Sequence, residues 1–276
     1  MPSVSLPKLS LIKLELFENG VLVMAFNRPK HMNSMLPESY CEWKRVMEFV
    51  HASVGDIRVL VVTGSGKAYS AGQDLSGAKI PAGQDEKQVM WQRRNDTCDL
   101  TKLLITSPVP IIGAINGPAI GYGCTTLALF DLLVSVDTAV FRTPFAELAF
   151  CPEGCSSVTF PRILGPAIAN DMLLFGKTMS AKEMHQRGFI ARLTQPDELM
   201  PVTMKLANTL ASRSAVAIRE SRVLIRNQEF MDELLRVNER EMDELYRRMI
   251  SEDAKQAIAR VFASLQAKRT STKPKI

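Results

Sequence analysis

Apolar and polar positions change rhythm along this chain, and the change divides it. From residue 9 to 27 they alternate, as Leu-Ser-Leu-Ile-Lys-Leu-Glu-Leu and then Val-Leu-Val-Met-Ala-Phe around Asn19-Gly20, the period-two pattern of a hairpin with a favoured turn pair. Residues 58–63, 109–115 and 132–136 are short, almost continuous apolar runs, which read as buried strands. Residues 39–51 and 87–104 carry the helical period between them, so strand and helix recur as β-β-α units. From about Gly165 onward only 189–193 suggests a strand. Helices are predicted there at 167–175, 180–188 (with Ser180 and Glu183 as a capping box), 198–213, 215–227, 230–249 and 253–267. The expected fold class is α/β, with a core over residues 1–205 and a helical C-terminal subdomain over 206–276. No proline- or serine-rich linker and no repeat interrupts this plan. Helices that project from a core often hide their apolar faces against another subunit, so oligomerisation is expected.

Composition narrows the picture only in places. With 276 residues and 46% hydrophobic content the chain can bury a full core. Its net charge of +5 gathers in residues 213–226, at Arg247 and Arg248, and in the tail at 268–275, where solvated faces compete with attraction for polyphosphate groups. Aromatic residues do not interleave with these charges, which argues against nucleic-acid binding. Five cysteines, an odd number without a C-x-x-C pair, suit free thiols in a reducing compartment. The three histidines are scattered, so no metal site is expected. No apolar stretch is long enough to span a bilayer, and no cleaved leader is indicated. Pro274-Lys275-Ile276 has the small, basic, aliphatic layout of a loosened peroxisomal address, which makes a peroxisome or related microbody the expected location, with the mitochondrial matrix or cytosol as alternatives.

Two phosphate-binding patterns fail on inspection. In Leu60-Val-Val-Thr-Gly-Ser-Gly-Lys67 the glycines are too close together, and Ala68 stands where a hydroxyl should meet magnesium. Gly121-Tyr-Gly123 begins a dinucleotide fingerprint, but Thr126 occupies the third glycine position. Ser70 lies in no nucleophile elbow, and no histidine is an obvious base for it. What remains is a pair of glycine turns, Tyr69-Ser-Ala-Gly-Gln-Asp74 and Asn116-Gly-Pro-Ala-Ile-Gly-Tyr-Gly-Cys124, each just after a strand. Glycine permits positive φ and close approach, so Gly72 can free the N–H of Gln73 and Gly121 that of Tyr122, the latter near a helix N-terminus. Downstream, Glu153 sits between a proline and a glycine at the edge of an apolar run. Two donors and one tunable base suit proton transfer beside a thioester carbonyl.

Through Asn27-Arg-Pro-x-x-x-Asn33, Ala68-Tyr-Ser-Ala-Gly-Gln-Asp-Leu75 and Asn116-Gly-Pro-Ala-Ile-Gly-Tyr-Gly123, the chain resembles the crotonase (enoyl-CoA hydratase/isomerase) superfamily over nearly its whole length. Thr143-Pro-Phe, Pro152-Glu-Gly-Cys-Ser-Ser157 and Thr159-Phe-Pro161 look most like its peroxisomal-type Δ3,Δ2-enoyl-CoA isomerases. The resemblance implies a crotonase-like spiral of β-β-α units, a homotrimer or dimer of trimers, and a coenzyme A thioester bound between the two glycine turns. It implies no cofactor, since coenzyme A is part of the substrate. The family's oxyanion donors fall on the N–H groups of Gln73 and Tyr122, its base on Glu153, and its substrate contacts on Ala68, Ser70, Ala71, Gly72, Asp74, Leu75, Gly121 and Phe145.

The hydratases of the superfamily use two glutamates, and the matching positions here hold Thr125 and Phe145. Water activation is therefore not expected. Glu147 is a rival carboxylate read as solvent-facing, and Asp74 is read as ordering a turn. Phe145, Phe150 and Phe160 are expected to exclude water around the base, and Arg28, Lys30 and Lys67 are candidates for the coenzyme A phosphates. Three alternatives stay open: a hydratase, a dienoyl-CoA isomerase, or a non-catalytic acyl-CoA-binding module.

Overall fold

Strands β1 (Ile12–Leu16) and β2 (Val21–Phe26) form the expected antiparallel hairpin, with Ile12 opposite Phe26 and Leu16 opposite Leu22. They are joined through residues 17–20, where Gly20 N–H donates to Phe17 O and Phe17 N–H to Val21 O. The computed structural model describes residues 4–77, 80 and 82–271. Helix α1 (Pro37–Ala52) leads to β3 (Val59–Gly64), and α2 (Glu86–Ile105) to β4 (Ile111–Ile115). Next come β5 (Ala119–Ile120), the one-turn helix α3 (Tyr122–Thr125), β6 (Leu132–Val136) and β7 (Val140–Arg142). Then follow α4 (Ser156–Leu164), α5 (Pro166–Leu173), β8 (Met179–Ser180), α6 (Ala181–Gln186) and β9 (Arg192–Thr194). The chain ends in α7 (Leu199–Ala211), α8 (Ala215–Ile225), α9 (Gln228–Met249) and α10 (Glu252–Ser271).

The main sheet has the order β1-β2-β3-β4-β6-β9 and is parallel from β2 onward. This explains the apolar runs: β3 and β4 are covered on both faces, so their positions are buried irrespective of alternation, whereas edge strand β1 turns Lys13 and Glu15 to solvent. A second sheet, β5-β7-β8, stands where the sequence predicts no strand, because strands of two or three residues are too short to show a period. Helix α4 was also unforeseen, since Pro161 lies within it. The predicted strand at 189–193 is shorter and later, as β9, and Phe189 and Ile190 enter the core instead.

Helix α7 packs across β3, β4 and β6, while α1, α2 and α9 pack on one another in succession. The expected division at residue 205 falls inside α7, which runs unbroken from the core, so a boundary of that kind would lie after it. Leu234 and Val237 of α9 belong to the same apolar core as Ile12 and Val21. The helical region is thus continuous with the sheet-bearing one. The tripeptide 274–276 lies outside the described residues.

Candidate active site

The two glycine turns abut. Ser70 and Ala119 form a parallel bridge, with Ser70 N–H donating to Pro118 O at 3.1 Å and Ile120 N–H to Ser70 O at 2.9 Å. Gly72 has φ 76°, and a Cβ there would come within 2.7 Å of Ile120 O; Gly121 has φ 55° and lies against Gly72. Asparagines brace the turns from behind: Asn33 Nδ2 donates to Ser65 O and Ala68 O, and Asn116 Nδ2 to Gly66 O and Ala68 O. That is the local work of the Asn27-to-Asn33 and Asn116-Gly-Pro segments.

Their outcome is a pair of unengaged amides. Met35 N–H donates to Gly72 O at 2.8 Å and Asp74 N–H to Met35 O at 2.9 Å, which leaves the N–H of Gln73 between them with no acceptor among the described residues. Tyr122 is the first residue of α3, so its N–H is one of the donors a helix cannot satisfy internally, and it too has no acceptor among the described residues. The Tyr122 side chain holds this turn in place: its hydroxyl lies 2.9 Å from Thr101 Oγ1, and its ring packs on Tyr40 and Trp43.

Both residues line a pocket of about 160 Å³ together with Glu153. Met35, Tyr40, Ile120, Phe145, Leu148 and Phe150 supply apolar wall, and Met242, Leu245 and Met249 close it from α9. Glu153 is 6% exposed. Burial, and after it the negative charge of Glu241, pushes its carboxyl up to about 8, against a hydrogen bond from Thr125 Oγ1 at 3.3 Å that favours ionisation. Two other carboxylates line the pocket among the described residues, and both have cations: Asp74 pairs with Arg28 at 2.9 Å, and Asp96 with Lys44 at 3.5 Å. Glu153 has no such partner among the described residues. A buried, unpaired carboxyl whose basicity has been raised can accept a carbon-bound proton; a paired one is a poor base.

Of the other expected contacts, Ala71, Gly72, Asp74, Leu75, Gly121 and Phe145 line the pocket. Ala68 and Ser70 do not. Ala68 is buried behind the turn with its carbonyl held by both asparagines, and Ser70 Oγ donates to Asn33 O while accepting from Gly72 N–H. Phe160 also departs from expectation: it is fully buried against Phe189, away from the pocket lining. Arg28 is committed to Asp74 and to Ser34, so it is no free phosphate ligand, whereas Lys30 and Lys67 are exposed. Asp74 orders its turn as read, accepting from Ser76 N–H and Oγ and from Ser34 Oγ, and these bonds with Arg28 hold its carboxyl well below the usual carboxylate range. Glu147 is exposed and paired with Arg142.

The basic cluster at 213–226 is partly structural. Arg222 binds Asp131 and Ser107 O, and Arg226 binds Leu129 O and Phe130 O. Among the described residues no group of three or more His, Cys, Asp or Glu is placed to hold a metal, and no helix is long and apolar enough to cross a membrane. Burial pushes the thiol of Cys98 to about 11 and that of Cys151 to about 12, with Cys124 and Cys155 higher still, so none is a thiolate nucleophile at neutral pH.

Sequence reasoning missed the α9 wall and Glu241. A trace of both was present: residues 234, 237, 238, 241, 242 and 245 make one helical stripe, and Asn238 and Glu241 are polar residues on its buried side.

A family profile described as enoyl-CoA hydratase/isomerase matches residues 16–268. Human enoyl-CoA delta isomerase 2 is 36% identical over 245 residues, which is 87% of this chain and 60% of that protein. Mouse peroxisomal enoyl-CoA delta isomerase 3 is 32% identical over 241 residues, 87% of this chain and 75% of its own length. The chain thus spans about three-fifths of the human relative. The crystal structure of an enoyl-CoA hydratase/isomerase from Pseudoalteromonas atlantica superposes with a TM-score of 0.83 at 28% identity, covering 92% of this chain and 98% of that one. By sequence and by architecture, the chain belongs to the enoyl-CoA hydratase/isomerase family, the crotonase superfamily.

Proposed function

We propose that the protein is a Δ3,Δ2-enoyl-CoA isomerase, moving the double bond of a 3-enoyl-CoA into conjugation as the 2-trans-enoyl-CoA. One observation carries this reading: a single buried carboxyl without a cation shares an apolar pocket with two backbone N–H groups that have no acceptor among the described residues. The C2 proton of such a thioester is flanked by a carbonyl and a double bond, so its loss to Glu153 gives a dienolate with charge on the thioester oxygen. Gln73 and Tyr122 N–H receive that oxygen, each contributing on the order of 3 kcal/mol as oxyanion donors do in other enzymes. Glu153, now protonated, delivers the proton to C4. Phe145 and Phe150 keep water from the dienolate.

Isomerisation is favoured over hydration by what stands beside Glu153. Adding water takes a second carboxylate to hold it, and the residues at the matching positions are Thr125 and Phe145, a hydroxyl that donates to Glu153 and a hydrocarbon ring. The names of the human and mouse relatives agree with this choice, and the mouse name supports a peroxisomal setting; a role in the oxidation of unsaturated fatty acids belongs to the same proposal. Assembly as a homotrimer or dimer of trimers belongs to the same proposal. It is supported by α8, which buries none of its own residues and exposes Val216, Val223, Leu224 and Ile225.

The test is conversion of 3-hexenoyl-CoA to the conjugated product, followed by absorbance. Glu153→Gln is expected to lower turnover by roughly a hundredfold to ten-thousandfold, the range of a positioned general base, with acyl-CoA binding retained. Gly72→Ala, which drives a methyl into Ile120 O, is expected to lower turnover as well. Unchanged turnover in Glu153→Gln would move the base elsewhere; hydration of 2-enoyl-CoA at a comparable rate would make the protein a hydratase.

A further inference from the structure

Helix α9 buries a second carboxylate, whose bonds reach residues two and four positions after Glu153. Glu241 is 5% exposed, on the stripe that otherwise presents Leu234, Val237, Met242 and Leu245 to the interior. Its oxygens take two backbone donors from the start of α4: Cys155 N–H reaches Oε2 at 2.7 Å and Ser157 N–H reaches Oε1 at 2.9 Å. Helix α4 lacks a cap of its own, because Cys155 at the N-cap position makes no side-chain cap bond. The cap is supplied from 86 residues further along the chain.

The clamped segment is the one that carries Glu153. Gly154 and Cys155 have φ of 65° and 63°, two left-handed residues in succession, and at Cys155 the Cβ makes that conformation strained. Such a step persists only where neighbours fix it. Ser156 N–H and Oγ close the turn onto Glu153 O at 3.2 and 2.7 Å, and Glu241 grips the residues on either side of Ser156.

We propose that Glu241 is the positioning residue of this site: by clamping Cys155 and Ser157 it fixes the left-handed step that aims Glu153 into the pocket, and it sets a second negative charge behind the base. The proposal rests on Glu153 being the base. Burial pushes both carboxyls up, but two N–H bonds oppose it at Glu241 and only one hydroxyl donor, at 3.3 Å, does so at Glu153, so when one proton is shared between them it resides on Glu153. The other titratable or charged groups facing Glu153 are the phenols of Tyr40 and Tyr122 and the thiols of Cys124, Cys151 and Cys155; those facing Glu241 are Cys155, Cys151 and the exposed Arg240. Burial keeps the phenols and thiols neutral through pH 9, so the Glu153–Glu241 pair governs titration in that range.

Carbon-13 carboxyl titration of the full chain reads this directly, with Glu153→Gln assigning the Glu153 signal. In Glu241→Gln the Glu153 midpoint is expected to fall by about one unit, as removal of a neighbouring like charge requires, and turnover to drop about tenfold. Glu241→Asp keeps the charge on a shorter arm, so the midpoint is expected to stay near the wild-type value while turnover still falls. An unmoved midpoint in Glu241→Gln with turnover within twofold of wild type would overturn the proposal. If that variant does not fold, the wild type decides: the Glu153 curve is expected to show a second inflection shared with Glu241, and a single-site curve would overturn the coupling. The titration needs no turnover, so absence of isomerase activity in the wild type would sink the assigned function while leaving this readout intact.

Discussion

Glu153→Gln removes a charge that the pocket resists and keeps the shape of the side chain. The carboxyl sits at about 8 in the folded protein against 4.5 for an unperturbed glutamate. Between those two values the folded state holds a proton that the unfolded chain has released. The group's contribution to stability is therefore fully present below about pH 4.5 and is lost as pH rises through 8. At about 1.4 kcal/mol per unit, integration from pH 5 to pH 8 gives a loss of about 3 kcal/mol in the wild type, which the glutamine variant does not suffer. Asp74 and Glu239 are shifted in the opposite sense, and their contributions are lost in acid, below this window. They occur in both proteins and cancel in the comparison. Urea unfolding of both proteins at pH 5, 6, 7 and 8, at one protein concentration, measures the gap directly. The variant is expected to gain on the wild type steadily toward pH 8; a gap that stays constant within a few tenths of a kcal/mol would refute the burial argument.

The hydroxyl beside the base permits a test of opposite sign to that of Glu241. Thr125→Val deletes the bond at 3.3 Å that favours ionised Glu153, so the acid limb of the activity profile is expected to move upward by about half a unit to one unit, corresponding to a hydrogen bond of about 1 kcal/mol; a downward move would contradict the geometry. At the surface, Leu224 and Ile225 are 82% and 79% exposed, and replacing both with glutamate is expected to lower the particle mass seen by light scattering. An unchanged assembly, or a monomeric wild type, would remove α8 from the interface.

Much of the main sheet was legible because its strands are long enough to carry a pattern: β3, β4 and β6 are apolar runs, and β1 with β2 alternates. The capping box at Ser180 and Glu183 forms as its spacing predicts. The short strands β5, β7 and β8 escaped, since two or three residues hold no period. At the site, the meeting of Gln73, Tyr122 and Glu153 in one pocket was readable because turn chemistry and a resemblance both act locally. Ala68, Ser70 and Phe160 lie off the pocket lining for a related reason: proximity in sequence to a turn does not say which side of it a residue faces. Glu241 and the α9 wall depend on a contact across more than eighty residues, and only a polar break in an apolar stripe marked them.

The walls of this pocket are drawn from residues as far apart in sequence as Met35 and Met249. During synthesis the glycine turns emerge before α9, the helix that closes over them. A nascent chain halted before α9 would carry the base, yet neither the apolar cover nor the clamp behind it. The proposed chemistry on a thioester therefore awaits synthesis of α9, and products truncated before it are expected to be inert in the 3-hexenoyl-CoA assay.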